Sequence, residues 1–204
     1  MKTDPTIWLV ARASGLVAYA LITASVLAGL MLKTRPFGRL VRAVTAMEIH
    51  RSLSFLGLAA IGAHGVALVL DRSVDIRLAD LLIPGTSPYR PVWTALGVVA
   101  AELTALVIVS FPLRRRIGMR VWRKLHWATY GVFALATAHG IAAGTDTSQP
   151  WVRTMYIGAI AAVAAATVWR ALTVPAAAPR PAAASAPRAD AARAPSPVPE
   201  STRA

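Results

Sequence analysis

Polar residues fall in short blocks that separate five long apolar runs, at residues 7–32, 46–70, 92–111, 122–143 and 152–173. A helix rising about 1.5 Å per residue needs about 20 residues to cross a hydrocarbon core of roughly 30 Å, and each run is long enough to do so. After Val174 the pattern stops. The segment PAAAPRPAAASAPRADAARAPSPVPESTRA is rich in proline and alanine and has no apolar periodicity, which predicts disorder. The expected fold class is therefore all-α: a polytopic membrane helical bundle of five transmembrane helices over residues 1–174, followed by a disordered tail over 175–204.

The polar blocks differ in charge, and that difference orients the bundle. KTRPFGRLVR carries Lys33, Arg35, Arg39 and Arg42, and LRRRIGMRVWRK carries Arg114, Arg115, Arg116, Arg120, Arg123 and Lys124. The other two blocks are balanced: Asp71, Asp75 and Asp80 offset Arg72, Arg77 and Arg90, and Asp146 offsets Arg153. Because basic loops are retained in the cytoplasm, the first and third blocks belong inside and the second and fourth outside. The N-terminus then lies outside and the C-terminal tail in the cytoplasm, in a multi-pass protein of the cell inner (plasma) membrane.

Composition supports this. The chain has 204 residues, 56% of them hydrophobic, with a mean hydropathy of +0.54. A net charge of +13 could suggest nucleic acid, but the basic residues sit between apolar runs and line no amphipathic face, so no nucleic-acid partner is expected. The absence of cysteine removes disulfides and thiol chemistry. The first apolar run is too long for a signal-peptide core and is expected to stay. There is no glycine-rich phosphate loop, and the tail is too short for a nucleotide-binding domain. Any flavin (FMN or FAD) is therefore expected on a separate partner.

All four histidines lie in the apolar runs: His50 and His64 in the second, His126 and His139 in the fourth. An ionisable side chain in hydrocarbon needs a partner. The spacings separate the first two by ~21 Å and the second two by ~19.5 Å along their helices. Since both helices run from inside to outside, His50 lies level with His126 and His64 with His139. Two such pairs fit two bis-histidine haems, each iron taking one nitrogen from each helix. The far ring N–H of each is expected to be tied to a nearby backbone carbonyl or hydroxyl, Ser54 and Thr129 being candidates, and Gly57, Gly62, Gly65 and Gly131 are expected to keep bulk off a porphyrin face. The alternative for any single histidine is an interhelical hydrogen bond. Fourteen residues return to within about 40° of the same face, but thirteen leave the second histidine about 140° round, which predicts bending or local widening near Gly131.

HRSLSFLGLAAIGAHG and RVWRKLHWATYGVFALATAH resemble the ferric reductase-like transmembrane domain family. That family includes the haem-bearing membrane part of NADPH oxidases and ferric-chelate reductases, and the small haem subunit of periplasmic methionine sulfoxide reductase. The resemblance covers about residues 7–170. It implies that His50, His64, His126 and His139 ligate two b-type haems, and it makes the 13-residue spacing a family feature. The chain departs from the large members in lacking a dehydrogenase half and in having five expected helices instead of six, which favours the small bacterial subunits.

Arg12 and Arg90 are placed to meet outer haem propionates, and Arg51, Arg123 and Lys124 inner ones. Their alternatives are snorkelling, a loop charge and positive-inside anchoring. Glu102, in mid-helix, reads as a neutral buried acid or as part of a proton path. Trp8, Trp93, Trp122 and Trp151 mark interfacial belts. The expected function is a two-haem membrane cytochrome b. It would take electrons from a cytoplasmic flavoprotein or a quinol and deliver them to a ferric chelate or a partner reductase outside. The alternative is a proton-relaying protein or small transporter that uses the histidines and Glu102.

Overall fold

The computed structural model describes residues 5–34, 42–71 and 73–173, which belong to one unit, Met1–Val174. Arg35, Arg39, Arg72, the side chain of Lys33 and the proline-rich tail lie outside the described residues. The elements in order are α1 (Pro5–Thr34), α2 (Ala43–Leu70), a 3₁₀ turn (Leu78–Leu81), α3 (Pro91–Ile117), α4 (Met119–His126), α5 (Ala128–Ala143) and α6 (Pro150–Thr173). No strand occurs among the described residues. Helices α1, α2, α3 and α6 are long and apolar enough to cross a membrane, so the protein is a membrane-embedded helical bundle. Many large apolar side chains face outward from these helices, among them Leu9, Leu56, Val66, Val109 and Ile157, as lipid solvation requires.

Helix α1 is the central post. It packs along α2, and α5 and α6 lean on it, while α3 packs along α5. Tyr19 of α1 anchors the core: its ring lies 4.7 Å from Tyr156 of α6 and stacks at 6.1 Å on Phe133 of α5. The Tyr19 hydroxyl lies 3.1 Å from Thr137 Oγ1, which itself donates to the Phe133 carbonyl at 2.7 Å. Tyr19 is therefore the donor in that bond, and its hydroxyl is satisfied inside the apolar core.

Two expectations are corrected. The third basic block is no open loop: α3 runs through Pro112 to Ile117, and Gly118 alone turns the chain into α4. Gly118 has φ of +84°, a left-handed conformation in which a side chain is strained, so one residue suffices for the corner. The run 122–143 is two helices that meet at Trp127. There the Trp127 N–H reaches the Lys124 carbonyl as well as that of Arg123, both at 3.2 Å, and Tyr130 N–H reaches Trp127 O at 3.2 Å. These i→i+3 bonds tighten the helix: the bending or widening expected between His126 and His139 is present as a break, not a widening, and it lies at Trp127, four residues before Gly131. Tightening is the shorter route to alignment, since each 3₁₀ residue adds ~20° of turn toward the ~140° that is missing.

Candidate cofactor site

The site is built where α2 and α5 face each other without packing along their length, each being held instead by α1 or α3. Across this space the four histidines meet as two pairs. The rings of His50 and His126 have centroids 6.1 Å apart at 77°, and those of His64 and His139 lie 6.5 Å apart at 76°. With metal–nitrogen bonds of about 2 Å and roughly 1 Å from nitrogen to ring centre, two imidazoles on one ion stand about 6 Å apart. Both pairs have that separation. Among the described residues no three His, Cys, Asp or Glu side chains converge as a metal group.

Three of the four rings are held from behind by backbone. His64 Nδ1 donates to the Ala11 carbonyl at 2.7 Å, His50 Nδ1 to Ser25 O at 2.8 Å, and His139 Nδ1 to Trp93 O at 2.8 Å. A carbonyl can only accept, so the proton is on Nδ1 in each ring and the Nε2 lone pair is free. His126 differs. Its Nδ1 is buried without a hydrogen-bond partner among the described residues, and its ring stacks on Trp122 at 5.0 Å and 25°. Trp122 Nε1 is likewise buried and unpartnered, with Phe111 against its edge at 5.9 Å.

The expected supporting residues lie elsewhere than on the far ring nitrogens. Ser54 Oγ donates to the His50 carbonyl at 2.8 Å and lies 2.7 Å from Ser25 Oγ, so it reaches the ring only through Ser25. Thr129 Oγ1 donates to the His126 carbonyl at 2.8 Å, bridging the break at Trp127. Of the glycines, Gly57 lets α1 approach at Leu21 and Ile22, and Gly65 faces Leu81. A Cβ at Gly62 or Gly131 would meet nothing within 4 Å.

Arg12 forms an ion pair with Asp146, its Nε donating to Asp146 Oδ2 at 2.6 Å, and its guanidinium lies 3.9 Å from the Trp8 ring centre. The pair ties α1 to the α5–α6 turn. Arg90 donates to the Ala142 carbonyl, and the Tyr89 hydroxyl donates to Ala143 O at 3.1 Å, tying the α2–α3 connection to the end of α5. Arg51, Arg123 and Lys124 are exposed at the opposite end, Arg51 above the Phe55 ring at 5.8 Å. Glu102 is exposed on α3 and bonds to no histidine among the described residues. Of the four tryptophans expected to mark interfacial belts, Trp93 does more than mark a boundary, because its carbonyl holds His139.

Sequence reasoning expects a backbone carbonyl or hydroxyl behind each ring, and three are carbonyls; it does not identify which carbonyls, nor Asp146 as the partner of Arg12. Backbone carbonyls leave no residue-type signal, but a register signal exists: Ala11 and Ser25 are spaced as His64 and His50 are, in reverse order on an antiparallel neighbour.

Over residues 6–146 the chain matches a family model described as a domain of unknown function, DUF8596. The matched segment contains all four histidines and Asp146 and stops before α6. No curated protein and no solved structure matches the chain.

Proposed function

The chain belongs to this family of unknown function, and we propose that it is a two-haem b-type membrane cytochrome that passes electrons across the bilayer. The observation that carries the reading is the doubled geometry: two cross-helix imidazole pairs at 6.1 and 6.5 Å, three of whose rings keep Nε2 free by donating from Nδ1. Haem held by two histidines supplies one-electron transfer and leaves no open iron position for oxygen. His50 and His126 are assigned to the inner haem, His64 and His139 to the outer. The resemblance to ferric reductase-like transmembrane domains points the same way.

In this reading α4 and α5 together make a fifth crossing beside α1, α2, α3 and α6. The basic corner from Arg114 to Lys124 faces the cytoplasm and the balanced connections face outside. Helix α4 has Met119, Trp122 and Leu125 on one side and Arg120, Arg123 and Lys124 on the other, an interfacial pattern. Arg51, Arg123 and Lys124 supply positive charge near inner propionates. Arg12, engaged by Asp146, and Arg90, engaged by Ala142, close the outer end. An electron moved outward against a negative interior gains about 2.3 kcal/mol per 100 mV. The donor is a separate cytoplasmic flavoprotein or a quinol, and the acceptor a ferric chelate or a partner reductase on the outer face.

The purified chain should be coloured, with reduced b-type bands after dithionite, and NADPH alone should not reduce it, because a hydride must first be split into single electrons. A flavin reductase or a quinol should restore reduction, and cytoplasmic donors should act on inverted but not on right-side-out vesicles. A colourless protein would favour the proton-relay alternative.

A further inference from the structure

Three glycines outside the histidine helices occupy equivalent places. A Cβ on Gly15 would lie 3.0 Å from Cε1 and Nδ1 of His64; on Gly29, 3.1 Å from Cε1 of His50; on Gly97, 2.6 Å from Nδ1 and 2.7 Å from Cε1 of His139. Each stands four residues after the carbonyl that accepts from the same ring: Ala11 and Gly15, Ser25 and Gly29, Trp93 and Gly97. The interval has a cause. Side chains on a helix lean toward its N-terminus, so the residue at i+4 covers the turn where carbonyl i is exposed. That carbonyl already accepts the helical N–H from i+4, and only its second lone pair is left for an outside donor. A side chain at i+4 would lie across the approach to it.

We infer that Gly15, Gly29 and Gly97 are positioning residues: each opens a backbone carbonyl to one ligand imidazole, so that three ligands are anchored and His126 is not. For its effect on a metal centre the inference rests on the haem reading, while the tautomer it dictates does not. Gly97 is the only glycine within α3, and at the level of His126 that helix carries Ser110, whose hydroxyl is spent on the Val107 carbonyl at 2.7 Å, and Phe111. His126 meets no socket there and leans on Trp122. An Nδ1–H bonded to a carbonyl makes its ring a stronger donor and fixes the ring plane. The outer centre therefore has two anchored ligands and the inner centre one anchored and one adjustable.

The test uses the full chain in detergent, with low-spin ferric EPR and a redox titration of each haem. Gly97→Ala should change one EPR signal, or lose that haem alone, and move one midpoint potential positive as the His139 bond to Trp93 is displaced. The second signal should stay as in wild type. Gly15→Ala should act on the same signal through His64, and Gly29→Ala on the other through His50. Gly158→Ala, where a Cβ meets nothing within 4 Å, is the control for alanine in a membrane helix and should change neither. If Gly97→Ala does not fold, Gly15→Ala and Gly29→Ala, with smaller overlaps, decide. Both signals and both potentials unchanged in those variants would overturn the inference. Should the wild-type chain hold no haem, the haem reading fails by itself. Histidine-selective ¹⁵N NMR then reads the inference: Nδ1–H tautomers at His50, His64 and His139, lost with each matching glycine, uphold it, and unchanged tautomers overturn it.

Discussion

The two histidine levels contain the same pair of imidazoles and differ in what stands behind them. At the His64/His139 level both rings donate to backbone, to Ala11 and Trp93, and the helix ends around them are cross-tied by Arg12 to Asp146 and by Tyr89 and Arg90 to the last turn of α5. At the His50/His126 level one ring donates to Ser25 while the other has a buried, unpartnered Nδ1, and α5 starts just past a tightened turn. Identical side chains are thus set in a fixed frame at one end and a looser one at the other. Rigidity here follows from which neighbouring helix offers an accessible carbonyl, and the histidines themselves do not determine it.

The largest effect expected is the loss of a whole haem with either histidine of a pair, and the contrast between the levels shows in stability. His139→Ala removes a histidine proposed as an axial ligand and the bond from α5 to Trp93 of α3, whereas His126→Ala removes one whose Nδ1 has no partner among the described residues. Thermal unfolding in detergent should show the first variant less stable than the second by about 1 kcal/mol, the net worth of one hydrogen bond. Equal losses would erase the contrast between the levels.

Next in size is the Arg12–Asp146 tie. The pair is partly shielded, with side chains 29% and 11% exposed, so Asp146→Asn, which leaves the arginine without its counter-charge, should cost about 2 kcal/mol. The EPR signal of the outer haem should broaden while that of the inner one does not. Broadening of both would mean that the tie serves the whole bundle.

A smaller effect is expected from pH. Asp80, buried in the 3₁₀ turn, accepts the Arg77 backbone N–H at 2.9 Å, and this bond above all holds its carboxyl below the usual range despite its burial. A depressed carboxylate contributes stability that is complete above its ordinary pKa and is lost as pH falls through the lowered value. Acid should therefore loosen the α2–α3 connection, and Asp80→Asn should remove that part of the pH dependence. The same acid sensitivity in the variant would contradict the assignment. The smallest effect belongs to Thr129→Val, which deletes the 2.8 Å bond to the His126 carbonyl and should cost no more than about 1 kcal/mol by thermal melting.

Much of this was legible in the sequence. Of the five apolar runs read as crossings, four are membrane-length helices, and the 14- and 13-residue spacings brought His50 to His126 and His64 to His139 once the two helices ran parallel. The 13-residue spacing called for a departure between His126 and His139, but its place at Trp127 was not legible, because a turn tightened by i→i+3 bonds uses the same residues as a regular one. Ser54 and Thr129 were natural candidates to hold ring nitrogens, being hydroxyls near histidines on their own helices. Yet a side chain one turn away on the same helix bonds back to its own carbonyl, and only a neighbouring helix reaches the far side of the ring. Arg12 reads as a free cation until the fold brings Asp146, 134 residues away, against it.

The central claim is that each cross-helix pair holds one haem. Its most direct test is the haem-to-polypeptide ratio of the purified full chain, measured for the wild type and for His64→Ala. The account predicts two haems per chain in the wild type and one in the variant, the survivor keeping the bis-histidine spectrum of the His50/His126 level. A wild-type ratio of zero or one, or two haems retained without His64, would contradict it.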